Sequence, residues 1–180
     1  YWGPDLHELQ SIYIPRAPDD YPTVIECGYE DRVYVGDDRG RIHKYDHNLD
    51  TLIAETPADP GGGVNFIHDD YNYIYTTRHF NRYVWMYQRN SLAYVDRSIL
   101  TRSNITDYIT TPSHGTLVGY TAHLDGTVNR LSGSSLDTIT HSHDYGGAAD
   151  ALAIDGDYIY VGGRHDGQYR LQKLRLSDLS

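Results

Sequence analysis

The chain repeats one short phrase four times. At Asp157–Tyr169, DYIYVGGRHDGQY sets a strand-like run before a Gly-containing turn closed by Asp166-Gly167, and a second strand-like run follows. An Asp-Gly pair between two such runs is a strong hairpin signal, because both residues tolerate the left-handed backbone of a tight turn. The phrase recurs upstream as RVYVGDDRGRI (Arg32–Ile42), YIYTTRHFNRYV (Tyr73–Val84) and TLVGYTAHLDGTV (Thr116–Val128). Aligning these on Val33, Ile74, Leu117 and Ile159 gives spacings of 41, 43 and 42 residues. A period near 42 made of short strands and turns, without a helical stripe, points to an all-β chain. The expected architecture is a β-propeller of four repeats, each a blade of antiparallel strands.

The blades span about 22–56, 64–96, 106–141 and 149–176 within a single domain, and the last lacks an outer strand. Leu6–Pro15 matches Leu49–Pro57 in phase, and Leu6 lies four repeats before Leu179. The segment 6–15 is therefore expected to complete the last blade, giving a four-bladed ring with both sheet edges hidden. The same phase relation fits four consecutive repeats of a larger propeller. The phrases DRVYVGDDRGRIHKYD and GDYIYVGGRHDGQYRLQKL resemble the YVTN/PQQ-like (WD40-like) family of propeller repeats. That resemblance covers Leu6 to Leu176 and implies the fold. The Trp that quinone-binding members carry at a fixed blade position has no counterpart, since Trp2 and Trp85 do not recur in register. No cofactor is expected.

Composition narrows the partners. Of 25 acidic residues 21 are Asp, and 13 of 15 basic residues are Arg, for a net charge of −10. That balance excludes a basic nucleic-acid footprint. Asp-rich, Lys-poor chains resemble halophilic proteins, although Asp also populates turns. Eighteen Tyr against two Phe suit strands with half-buried rings. No apolar run is long enough for a membrane span. Cys27 stands alone and is expected as a small buried side chain. The chain begins at Tyr1 without a signal-like segment, which reads as a processed chain or a piece of a longer one.

Propeller register gathers candidate residues on one loop face. Asp37, Arg78, His123 and Arg164 share one turn position; Asp38, His79, Leu124 and His165 share the next, with Asp125 and Asp166 following. The last inter-blade loop adds His143, Asp144 and Tyr145 before Gly146-Gly147. The candidate ligand-binding set is Arg78, His79, His123, Asp125, His143, Asp144, Tyr145, Arg164, His165 and Asp166, a mixture suited to a carbohydrate or carboxylated ligand. Polar residues and Gly also belong in any exposed hairpin turn. His141-Ser-His143 puts two imidazoles on one side of an extended strand, but no third ligand has fixed spacing, so no metal is assigned. G-x-S-x-G, Walker A and HExxH signatures are missing, and no residue is assigned as catalytic.

These observations favour a non-catalytic binding or assembly module at a cell or virion surface, spike- or tail-like, contacting carbohydrate or protein through one loop face. The sequon Asn104-Ile-Thr106 fits an extracellular location. A polysaccharide lyase or hydrolase using His143, His165, Arg164 and Asp166 is the first alternative. An intracellular protein–protein interaction scaffold is the second.

Overall fold

Short runs of β-branched and Tyr residues, broken by Gly and Asp, build fifteen strands among the described residues. Among the described residues there is no helix. The computed structural model describes residues 21–58, 62–79, 81–99, 101, 103–111, 118–133 and 136–180. The strands are β1 (Pro22–Gly28), β2 (Arg32–Asp37), β3 (Ile42–Asp46) and β4 (Leu52–Glu55) in the first blade, and β5 (Val64–Asp69), β6 (Tyr73–Arg78), β7 (Trp85–Gln88) and β8 (Tyr94–Arg97) in the second. The third blade is β9 (Ile105–Thr111), β10 (Val118–His123), β11 (Thr127–Ser132) and β12 (Thr138–Asp144). The fourth is β13 (Ala149–Asp155), β14 (Tyr158–His165) and β15 (Gln168–Arg175). Each sheet is an antiparallel meander in chain order, and together they form the expected four-blade β-propeller. The strand expected at 6–15 and the blade-three position Leu117 lie outside the described residues.

Strand alternation gives every blade two faces, and the apolar residues sort between them. The forward face of one blade packs on the backward face of the next. Tyr34 and Ile42 of the first blade meet Val64, Ile67, Ile74 and Tyr87 of the second. Tyr75, Val84 and Met86 of the second meet Tyr108 and Leu131 of the third. Val118, Tyr120, Ala122 and Val128 of the third meet Ala149, Ile159, Val161 and Leu174 of the fourth. Burying one such aliphatic side chain contributes roughly 1.5–3 kcal/mol, so the three seams hold the stack together.

A leucine recurs in the turn after each third strand. Leu49, Leu92, Leu136 and Leu179 have φ of 62°, 54°, 57° and 58°, the left-handed region that L side chains avoid. Leu92, Leu136 and Leu179 are buried in the blade seams, which offsets the backbone strain. This is the physical content of the Leu phase seen in the sequence.

Cys27 corrects an expectation: it is exposed, not buried. Its neighbour Gly28 faces the second blade, where a side chain would meet Asp69 and Tyr34. By alternation Cys27 points to the opposite side of β1.

Candidate functional site

The loop face is built by one device used twice. Gly62-Gly63 and Gly146-Gly147, each just ahead of a blade's innermost strand, thread between two hairpin turns. A Cβ on Gly147 would collide with the Arg164 carbonyl, and one on Gly126 with the Gly147 carbonyl. Arg164 donates its backbone N–H to the Ala148 carbonyl at 2.8 Å, and Tyr145 donates to Gly126 at 2.9 Å. Two seams earlier, the His79 N–H reaches the Gly63 carbonyl at 2.9 Å, and a Cβ on Gly63 would meet the Asp38 backbone of the first blade at 2.8 Å. The Gly pairs thus serve close backbone packing between blades.

The candidate residues divide by what this packing does to them. Arg78 is fully buried; its guanidinium donates to the Gly40 carbonyl and to the Tyr87 hydroxyl, and lies over Trp85. His123 is also fully buried. Its Nδ1 lies 3.1 Å from the Ser103 carbonyl, while Thr121 and Asn129 reach Nε2 at 2.7 and 3.0 Å. Burial holds this imidazole below its ordinary range, against smaller upward effects from the Ser103 carbonyl and Asp125. Tyr145 is buried and donates to the Arg170 carbonyl. These three hold the turns together.

The others stay nearer solvent. His79 is exposed. Asp125 and Asp144 accept backbone N–H groups of Thr127 and Gly146, at 3.1 and 2.8 Å, as turn-forming carboxylates do. His143 Nε2 lies 3.0 Å from the Gln172 side-chain amide. The His165 ring touches the Gly146 carbonyl and lies 3.4 Å from Asp166. Arg164 lies over the Tyr169 ring, 5.4 Å from its centroid. These turn residues therefore lie at one loop face but do not converge, and the strand register puts Gly163, not Arg164, at the place of Arg78 and His123. Among the described residues, no three His, Cys, Asp or Glu side chains gather where they could hold a metal ion.

Two features carried no sequence motif. One is a buried ionic knot on the opposite side of the first seam. Arg89 binds both Asp69 oxygens at 3.1 and 3.0 Å and Glu30 at 2.8 Å, and also donates to the Tyr29 carbonyl. Lys44 donates to the Arg89 carbonyl at 2.7 Å, and burial lowers its pKa. The other is the forward face of the fourth blade. There Ala151, Ala153, Tyr158, Tyr160, Gly162, Tyr169 and Leu171 share one side of the sheet with Lys173 and Arg175, as the strand register requires. Tyr169 is 82% and Leu171 71% exposed. Lys173 Nζ lies 3.8 Å from the centroid of Tyr158. None of the more extensive strand packings among the described residues joins this sheet to the first.

No protein-family model matches the chain, and no curated protein matches it in sequence. Solved structures do. A chain of the mitotic checkpoint complex superposes with a TM-score of 0.76 at 12% identity, covering 92% of this chain and 52% of that one. The computationally designed Ika4 protein gives 0.68 at 16% identity, covering 91% and 97%. The computationally designed Ika8 protein gives 0.64 at 16% identity, covering 83% and 45%. The chain thus spans about half the length of two of these three. These likenesses show a WD40-like β-propeller fold; with no family model matching, the resemblance to YVTN/PQQ-like repeats extends to the fold alone.

Proposed function

We propose that this chain is a non-catalytic binding and assembly module at a cell or virion surface, and that it docks a protein on the forward face of its fourth blade. The observation that carries this reading is the exposure of Tyr169 and Leu171 beside Arg164 and Lys173. Contiguous aromatic and aliphatic surface edged by cations marks docking sites, with Tyr and Arg over-represented among the residues that carry binding energy. The fold itself is of a kind that presents faces to partners, and a chain of the similar mitotic checkpoint complex works within an assembly. The acidic, Lys-poor composition supports the surface location.

Carbohydrate is the second reading. It is favoured by a cleft of about 470 Å³ lined by Trp85, Tyr87, Tyr94 and Arg78, since aromatic faces and planar cations suit sugar rings. A photo-crosslinking amino acid at position 169 tests the choice. Polypeptide adducts at 169, with none from the same probe at 79, are expected. Polypeptide adducts confined to 79 would overturn docking on the fourth blade, and glycan-array binding lost on Trp85→Ala with no polypeptide adduct would overturn the protein reading.

A further inference from the structure

We infer that the partner of this face is a second copy of the same chain, joined head to tail so that the fourth blade of each copy packs on the first blade of the other. This rests on the docking reading above and names its partner. Within the chain the same joint is made three times, always by a forward face receiving the backward face of the following blade. Among the described residues, no following blade lies on the forward face of the fourth. Its residues match buried ones: Tyr160 corresponds to Tyr34 and Tyr75, Leu171 to Ile42 and Val128, and Lys173 to Lys44 and Met86.

The complementary half is at the other end of the stack. On β1 the backward face presents Ile25, 65% exposed, and Cys27. The register equivalent of Ile25 in the second blade, Ile67, is buried in the first seam. Val35, His43 and Tyr45, farther out on the backward face of the first blade, are already buried. The open area is therefore the inner strand, which is where successive blades pack most extensively.

Charge favours the same pairing. The forward face carries Arg164, Lys173 and Arg175 on a chain of net charge −10, while Glu55 lies on the backward face of the first blade. Size agrees as well: the four blades overlay on 52% of one longer chain and 45% of another, about half of each. Each copy offers one open forward and one open backward face. Two head-to-tail joints use both, and a two-fold arrangement closes without leaving an edge.

The first seam supplies the ruler for a test. Asp69 occupies in β5 the place of Cys27 in β1, and a Cβ built on Gly28 would lie 3.2 Å from Asp69 Cγ. The fourth-blade residue at the Gly28 position is Asp155, exposed beside a turn, where substitution does not disturb the core. Asp155→Cys in the full chain, mildly oxidised with the native Cys27, is expected to give a disulfide between two chains. Non-reducing electrophoresis then shows a two-chain species, and adding Cys27→Ser removes it. A link within one chain would mean that the fourth blade meets its own first blade, and no link at any mass would mean that the two faces do not meet; either overturns the inference. Failure of self-docking remains distinct from failure of the docking reading. Adducts from position 169 to a different polypeptide would preserve the reading while rejecting the second copy.

Discussion

The third and fourth blades are built from the same phrase, yet the same side of the sheet meets opposite fates. In the third, Val118, Tyr120, Ala122 and Val128 are buried under the next blade. In the fourth, Tyr158, Tyr169 and Leu171 stand in solvent. The repeat fixes which residues point forward, but burial comes only from having a successor. Strand-forming residues alone do not make a core, and a propeller blade is half-finished until another blade lies on it.

Breaking the closed seams gives the largest effects. Arg89→Met leaves Asp69 buried without its cation and is expected to cost about 3–5 kcal/mol, measured by urea unfolding. Arg164→Met, on the open face, is expected to stay within about 0.5 kcal/mol. Ile42→Ala, in the first seam, is expected to cost about 2–5 kcal/mol. Leu171→Ala, at the equivalent place on the open face, should leave the unfolding midpoint of a dilute sample unchanged.

Acid probes the buried side of this contrast. Burial lowers the pKa of both His68 and His123 from 6.5. Each imidazole is neutral in the fold and takes up a proton more readily when unfolded. Stability is therefore full above about pH 6.5 and falls as pH drops below it through the folded values. The slope of unfolding free energy against pH should shrink in His123→Gln. The change is on the order of 1 kcal/mol for each unit of pKa difference.

Asp107 gives the smallest effect, with the opposite sign. Burial raises its carboxyl pKa, although the N–H groups of Leu152 and Tyr108 donate to it and pull it down. The fold thus binds this proton more tightly than the unfolded chain, and ionisation above the ordinary carboxylate range costs stability. Asp107→Asn keeps an oxygen for the Leu152 N–H, 2.7 Å from the native carboxylate. It should raise stability at neutral pH by a few tenths of a kcal/mol to about 1, read as a small upward shift in the urea midpoint.

The architecture was legible because hairpins announce themselves locally. Asp166-Gly167 and Asp125-Gly126 mark turns, and the recurring Leu marks the strained turn after each third strand. The candidate site was less legible because spacing alone aligned residues that the strand register separates. Arg78 and His123 share their place with Gly163, while Arg164 falls one residue on, on the other side of its sheet, and faces solvent. What buries the first two is the turn or loop of a neighbouring segment, carrying Ser103 or Gly40, about 20 and 38 residues away. The open face was missed for a related reason. Tyr169 and Leu171 look like core residues in the alternating pattern, and only the placement of whole sheets reveals that they stand exposed.

The most direct measurement is light scattering behind size exclusion, on the full chain over a wide concentration range, beside Leu171→Asp. The account predicts a wild-type mass of two 20.5 kDa chains, falling to one in the variant with an unchanged circular dichroism spectrum. Wild-type protein that stays at one chain's mass throughout the range would contradict it.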